Sequence, residues 1–512
     1  ATQVEKDENA DDILRNEARQ TIDAAQSASK KTEDARRKAI SDHDQALAAL
    51  REGGLEAART HAQSVLGNPR ADAEVRADAE RVLSGLPELE AGKAFMDAED
   101  FPAALRAFEE ILPEGKGAAW PPARAAAERL KNRAVRLRRD KLAGSIHEHL
   151  AHRAEREETS NVDTVPPDEN IPASAPDWVR TTLTDFETFL HDCAVTGKPA
   201  FTGKALVPGD RLGEKYEILE FLGRGGMGEV YRARDLSLDR EVALKLAARA
   251  AESSHLAEAL RNEAKAIAAL THPHIIHINS FEVIDDRPCF DTNYIRGCDL
   301  DQHASRHSLS WRETAQILIP IAEALAYAHK QGVLHRDVKP QNIYLGERPT
   351  DGPWLIDFGL ARMRTLCDRR ANTGLCGTPG FIAPEVITSM GEDVDHRADI
   401  FALGCVLYGL LAKEPPFRRG DLPATSSRPS ISRTLLNTLR SQTMPLTEAA
   451  PNAPEALRRI CERAMAHELQ DRYQDAGEMA RDLRRFLLEL DQQEAETMLA
   501  QARERLERRP QN

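Results

Sequence analysis

The sequence predicts an α+β chain, with an all-helical N-terminal region followed by a domain that mixes strands and helices. Residues 1 to about 153 are rich in Ala, Glu, Arg and Gln, poor in Gly and Pro, and repeat apolar residues at helical spacing. From about residue 206, apolar runs flank a glycine-rich turn, the pattern of strands joined by a tight connection. Farther on, Asp399-Ile400-Phe401-Ala402-Leu403-Gly404 opens an apolar helix. A length of 512 residues suggests more than one domain, and 41% hydrophobic residues suffice for globular cores.

Residues 10 to 45 read as a long polar helix or a weak coiled coil. Two later stretches look like copies of one unit at an offset of 46 residues. Leu50 aligns on Met96, Leu55 on Phe101, Ala58 on Ala104, Ala62 on Phe108 and Leu66 on Leu112. Small alanines after a Gly or Asp turn let two helices approach closely, and the offset leaves room for a further helix around Ala71 to Leu83. The pattern resembles tetratricopeptide helix pairs, whose period is ~34 residues; a generic helical bundle fits it equally well. Residues 1–153 are therefore expected to form a helical interaction or regulatory domain that binds a partner protein or docks on the second half of the chain. Residues 154–177 are Pro-, Ser- and acid-rich and read as a disordered linker. Residues 178–205 begin with one short helix, and Arg481 to Arg508 read as a charged helix continuing the last helix of the second domain, so that 491–512 form a charged C-terminal helix.

The second half carries the chemistry. Tyr216 to Leu222 and Val230 to Ala233 flank Gly223, Gly225, Gly226 and Gly228, and glycines there let backbone N–H groups approach phosphates with no Cβ in the way. Such a turn alone is a weak signal, since ordinary hairpins share it. Lys245 ends the apolar Val242-Ala243-Leu244, and a lysine inside an apolar strand must find a charged partner or shift its pKa. Three further motifs follow in order: His335-Arg336-Asp337-Val338-Lys339-Pro340-Gln341-Asn342, then Trp354-Leu355-Ile356-Asp357-Phe358-Gly359, then Gly377-Thr378-Pro379-Gly380-Phe381-Ile382-Ala383-Pro384-Glu385.

This ordered set resembles the eukaryotic-like (Hanks-type) Ser/Thr protein kinases, over about residues 206–490. The run Gly223-Arg224-Gly225-Gly226-Met227-Gly228, with Val207-Pro208-Gly209-Asp210 before it, is similar to the bacterial members. The resemblance implies a bilobal fold, with a small β-rich lobe and a larger helical one. It implies transfer of the ATP γ-phosphate to protein Ser or Thr hydroxyls with Mg²⁺, autophosphorylation and a role in signalling. By the same resemblance the glycine loop and Val230 would cover the nucleotide, and Lys245 would hold its α- and β-phosphates. Glu263 would pair with Lys245, Glu258 being the weaker rival. Asp337 would accept or orient the acceptor hydroxyl proton, Lys339 would neutralise the γ-phosphate, and Asn342 and Asp357 would hold Mg²⁺. Phe358 would pack near His335 and Ile267. Thr292 and Tyr294 fall at the gatekeeper and hinge, where Asn293 replaces a common Glu. The adenine contacts there are with backbone, so ATP binding should survive, and Thr292 would leave the rear pocket open.

Arg336 would read a phosphate on Thr373, or on the less favoured Thr365. Thr378 would bond near Asp337 and Lys339 and shape the peptide platform. Glu385 would pair with Arg472, and Asp399 would hold the loop backbone from below. Two rivals remain: a catalytically silent scaffold, opposed by the intact Lys245, Asp337, Asn342 and Asp357, and a small-molecule kinase, opposed by Lys339 and the 377–385 platform.

A formal net charge of −14 disfavours nucleic acid as the main partner. Seven scattered cysteines without a C-x-x-C read as a reduced, cytoplasmic protein; Cys367 and Cys376 are either a redox pair or two unrelated thiols. The longest apolar run is too short for a bilayer span of ~20 residues, and no signal peptide is visible. The sequence opens on Ala1, and an anchor beyond Asn512 stays open. Oligomeric state is also open; a homodimer paired through small lobes is one arrangement the resemblance allows.

Overall fold

The computed structural model describes residues 4–111, 121–159, 175–195, 206–225, 228–247, 264–284, 287–348, 351–358, 377–389, 394–418 and 430–507. Two compact units divide the chain, Ala1–Lys141 and Leu142–Asn512.

The first unit contains α1 (Val4–Glu52), α2 (Leu55–Gly67), α3 (Ala73–Asp97), α4 (Phe101–Glu109) and the start of α5 (Pro121–Thr159). The 46-residue offset reappears in its turns. Gly53 N–H donates to the Leu50 carbonyl and Gly54 N–H to that of Ala49; Glu99 N–H donates to Met96 and Asp100 N–H to Phe95. Gly53 and Glu99, also 46 apart, both take the left-handed conformation, at φ 79° and 58°. Glycine adopts it freely, whereas Glu99 does so only with local strain. Asp100 caps α4 by accepting the Ala103 N–H at 3.2 Å. Leu50, Leu55, Ala58 and Ala62 are buried, and so are Met96, Phe101, Ala104 and Phe108. The helix expected around Ala71 to Leu83 is α3, which continues to Asp97 and supplies the first arm of the second helix pair.

The second unit opens earlier than the sequence suggested. The helical domain was expected to end at 153 and a linker to fill 154–177; α5 runs through Thr159, its residues from Leu142 on belong to this unit, and 160–174 lie outside the described residues. The reason is burial: Leu142, Ile146, Leu150 and Ala154 recur every four residues and pack with Val179, Leu183, Phe186 and Leu190 of α6 (Asp177–Val195).

Next comes a six-stranded antiparallel sheet in the order β1-β2-β3-β4-β6-β5. Its strands are β1 (Arg211–Leu212), β2 (Tyr216–Gly225), β3 (Gly228–Asp235), β4 (Arg240–Ala247), β5 (Ile278–Ile284) and β6 (Arg287–Asn293). Tyr216, Ile218, Tyr231, Val242 and Leu244 form part of its core. The helical part that follows has α7 (residues 264–268), α8 (Leu300–Arg306) and α9 (Trp311–Lys330), the last started by a Ser310/Glu313 capping box. A small sheet of β7 (Gly297–Asp299), β8 (Ile343–Gly346) and β9 (Trp354–Leu355) lies beside them in the chain. Then come α10 (Pro384–Thr388), α11 (Arg397–Ala412), α12 (Ile431–Leu439), α13 (Leu446–Ala449), α14 (Glu455–Ala464) and α15 (Ala476–Glu507). Helix α11 is apolar almost all round because it is buried from Asp399 through Tyr408. Helix α15 runs unbroken from Ala476 to Glu507, the charged helix continuing past 490 that the sequence suggested; Arg312 holds its exposed part through Asp491 and Glu494.

The Gly92 position tests the packing of the first unit. A Cβ there would collide with the ring of Phe108, which is fully buried and cannot swing away. Gly92→Ala should lower the stability of this unit by about 1–3 kcal/mol, read as a reduced midpoint in denaturant unfolding followed by circular dichroism.

Candidate active site

Strand register brings the first pieces together. Lys245 in β4 lies opposite Val230 of β3 and Phe290 of β6, beneath the β2–β3 turn. Gly225 pairs with Gly228 across that turn, and Gly228 sits at φ 135°, which only glycine enters easily. At Gly223 a Cβ would meet nothing within 4 Å, so backbone is open to a ligand on that side. Thr292 lies opposite Ala243, and Tyr294 packs under the Arg232 guanidinium, 5.5 Å from its ring centroid. Asn293 accepts a hydrogen bond from Asn279 at 3.3 Å.

Lys245 Nζ donates to Asp357 Oδ2 at 2.7 Å. Asp357 is held at φ 63°, a conformation that costs a non-glycine residue and clusters at functional sites. Burial pushes its carboxyl up, but the charge and hydrogen bond of Lys245 outweigh that and leave it below the ordinary carboxylate value. Phe358 meets the His335 ring edge-on at 4.7 Å and shares a core with Ile267.

The 335–342 loop builds the opposite wall. Asp337 accepts from Thr378 Oγ1 at 2.8 Å on Oδ1 and from Lys339 Nζ at 2.7 Å on Oδ2. Lys339 also donates to Thr378 Oγ1 at 2.8 Å, which closes a three-residue ring of contacts. Asn342 Nδ2 donates to the Asp337 carbonyl at 2.7 Å and to Asp337 Oδ2 at 3.2 Å. Arg336, half-buried, is held at φ 65°. That strain is fixed from below: Asp399 accepts the N–H groups of His335 and Arg336, both at 2.8 Å. Burial pushes the Asp399 carboxyl up, yet the hydrogen bond from His329 and the charge behind it bring it below the ordinary value. His335 is fully buried, and burial lowers its pKa despite the facing carboxylates.

Arg472 anchors the far end. It forms a forked pair with Glu385 at 2.7 and 2.8 Å and donates to the Ala466 and His467 carbonyls. Its guanidinium also stacks on Phe401 at 4.7 Å. A buried pair of this kind is tolerable because every donor is used.

Together these walls enclose a cleft of about 840 Å³ lined by Gly223, Val230, Lys245, Thr292, Asp337, Asn342 and Asp357, among others. That is the size of a small-molecule site. Gly226, Glu263, Glu258, Thr365, Thr373, Cys367 and Cys376 lie outside the described residues. Sequence reading missed Glu229, which is buried beside the glycine turn and holds Arg224, Arg287 and Tyr231. A carboxylate between Gly228 and Val230, inside an apolar strand, was the available signal. It also missed His329, which nothing in its own segment distinguishes from an ordinary helix histidine.

The family described as "Protein kinase domain" matches residues 216–493. Serine/threonine-protein kinase PknH of Mycobacterium bovis is 34% identical over 292 residues, covering 56% of this chain and 47% of its own length. The probable serine/threonine-protein kinase PknB of Bifidobacterium longum is 32% identical over 55% of this chain and 41% of its own. The chain thus spans about half the length of the curated relatives it matches. The crystal structure of the Mycobacterium tuberculosis PknI kinase domain aligns with 55% of this chain and 99% of its own at 29% identity and a TM-score of 0.41.

Two substitutions test the supports. Arg472→Ala leaves the Glu385 carboxylate without its partner and should cost about 3–5 kcal/mol in chemical denaturation. The Asp399 contribution has a defined pH window: a carboxyl lowered by folding stabilises above its unfolded value of about 3.9 and loses that effect as pH falls through the lowered value. The stability gap between the native chain and Asp399→Asn should therefore hold from pH 7 to about 4 and close only below it. A gap closing well above pH 4 would mean that another group carries it.

Proposed function

The chain belongs to the protein kinase family, and from that premise we propose that it transfers the γ-phosphate of ATP to serine and threonine hydroxyls of proteins. The observation that carries this reading is the Asp337–Lys339–Thr378 ring facing the Lys245–Asp357 pair across one cleft. Phosphoryl transfer asks a protein mainly for positioning and charge neutralisation, and these residues supply both.

In this reading the β2–β3 turn covers the phosphates with backbone N–H groups, and Lys245 holds the α- and β-phosphates, with Glu263 as its further partner. Asp337 orients the acceptor hydroxyl and takes its proton; its carboxylate is kept in place by Thr378 and Asn342. Lys339 is within reach of both Asp337 and Thr378 and so sits where charge on the transferring group would develop. The donor set suits Mg²⁺, since Asp357 offers a carboxylate and Asn342 an amide oxygen. Among the described residues no group of three or more His, Cys, Asp and Glu could hold a metal ion. Mg²⁺ is usually bound through one or two carboxylates together with substrate phosphates, which matches so sparse a site. Bound there, the ion would neutralise phosphate charge.

Phosphate on Thr373 would pair with Arg336 and order the segment between Asp357 and Thr378. The first helical unit would bind a partner protein, either to recruit it or to inhibit the kinase domain. A cytoplasmic location is supported by the free thiols of Cys289, Cys298, Cys405 and Cys461; among the described residues no helix is long and apolar enough to cross a membrane.

Labelled ATP and Mg²⁺ given to the purified chain test the reading. The native chain should label itself and a serine-containing acceptor, and Asp337→Asn should lower turnover by about 10²–10⁴-fold. Equal labelling by both proteins would sink it. Thr373→Ala should slow acceptor phosphorylation, and unchanged activity and autophosphorylation kinetics would remove Thr373 from the scheme.

A further inference from the structure

The segment ahead of the β-sheet packs on the far side of the acceptor platform. Residues 142–159 of α5 and helix α6 bury Leu150, Leu183 and Phe186 in one core with Ile382 and Val386 of the platform and Leu435 of α12. All of these are at most 8% exposed. Glu187 of α6 lies buried between His149 and Arg153 of α5, bonded to both. A buried carboxylate with charged and polar partners fixes the register of two helices, because any slip leaves it unpaired. At the outer edge, Arg440 at the end of α12 donates to His147 at 3.0 Å.

A short path of contacts runs from this core to the reacting groups. Ile382 packs so closely on Gly377 that a Cβ there would lie 2.9 Å from its side chain. Gly377 precedes Thr378, which bonds Asp337 and Lys339. We infer that the helical hairpin of residues 142–159 and Asp177–Val195 is a structural part of the acceptor-peptide platform, holding Ile382 and through it Thr378 in the geometry that orients the acceptor hydroxyl. Leu183 and Phe186 are positioning residues in this scheme, since they touch no reacting atom. The inference rests on the protein kinase reading.

The test uses the full chain. Phe186→Ala and the conservative Phe186→Leu are compared with the native protein in acceptor-peptide and ATP titrations, with hydrogen exchange followed in Asp177–Val195 and 377–388. Phe186→Ala should raise exchange in both segments and lower kcat/KM for the peptide by about tenfold to a hundredfold, the scale of a misplaced positioning element. KM for ATP should stay unchanged, and Phe186→Leu should restore most of the peptide activity. Faster exchange in the hairpin with unchanged peptide kinetics would overturn the inference, and so would higher peptide activity or a parallel loss of ATP and peptide binding. Should Phe186→Ala fail to fold, Arg440→Ala loosens the exposed edge alone and is read by the same criteria. A native chain without ATP-dependent labelling would defeat the kinase reading itself; a native chain that labels, with variants equal to it, defeats only the hairpin's role.

Discussion

The carboxylate of Asp399 receives two backbone N–H groups from His335 and Arg336, and the whole site depends on that contact. Arg336 cannot rest at φ 65° without compensation, because a side chain in the left-handed region is strained. Hydrogen bonds to a charged group contribute about 1.5–3 kcal/mol each, enough to hold the conformation. The carboxylate is tolerated in the interior because His329 donates to it as well. Its position comes from α11, a helix buried along most of its length and therefore rigid. Asp337 follows the strained residue directly, so its carboxylate is aimed by a helix that lies far along the chain.

A second constraint comes from the sheet. The pairing of Lys245 with Val230 on one side and Phe290 on the other sets both its depth and its facing. A slip of one residue would turn the lysine to the other face. The buried core on that other face, Tyr216, Tyr231, Val242 and Leu244, makes such a slip costly. The contact to Asp357 then ties the sheet to the loop after β9, and Phe358 against His335 ties that loop to the 335–342 wall. Asp357 and the 335–342 wall are thus linked by packing rather than by chain connectivity.

The third support lies behind the platform, where Arg472 satisfies Glu385, stacks on Phe401, and joins a core that the α5–α6 hairpin completes. The hairpin explains why the second unit begins at Leu142. Apolar residues every four positions needed a partner surface, and the faces of α10, α11 and α12 provide one.

Much of the site was legible in the sequence because its residues sit in short, contiguous motifs. Glycines at 223, 225 and 228, the 335–342 loop, Asp357 and Thr378 each carry their chemistry within a few neighbours. The 46-residue offset was also legible as a spacing of apolar residues, and the structure places equivalent turns at Gly53 and Glu99. Contacts between distant segments were not legible from spacing alone. The role of His329, the burial of Glu229 and the attachment of residues 142–195 to the platform depend on which surfaces meet. An apolar stripe says that a helix face will be buried but not against what, because the hydrophobic effect is non-directional. Sequence alone thus determined the family to which this chain belongs. The tertiary structure decided which side chains hold its motif residues still, because only packing brings residues far apart in the chain within hydrogen-bonding distance.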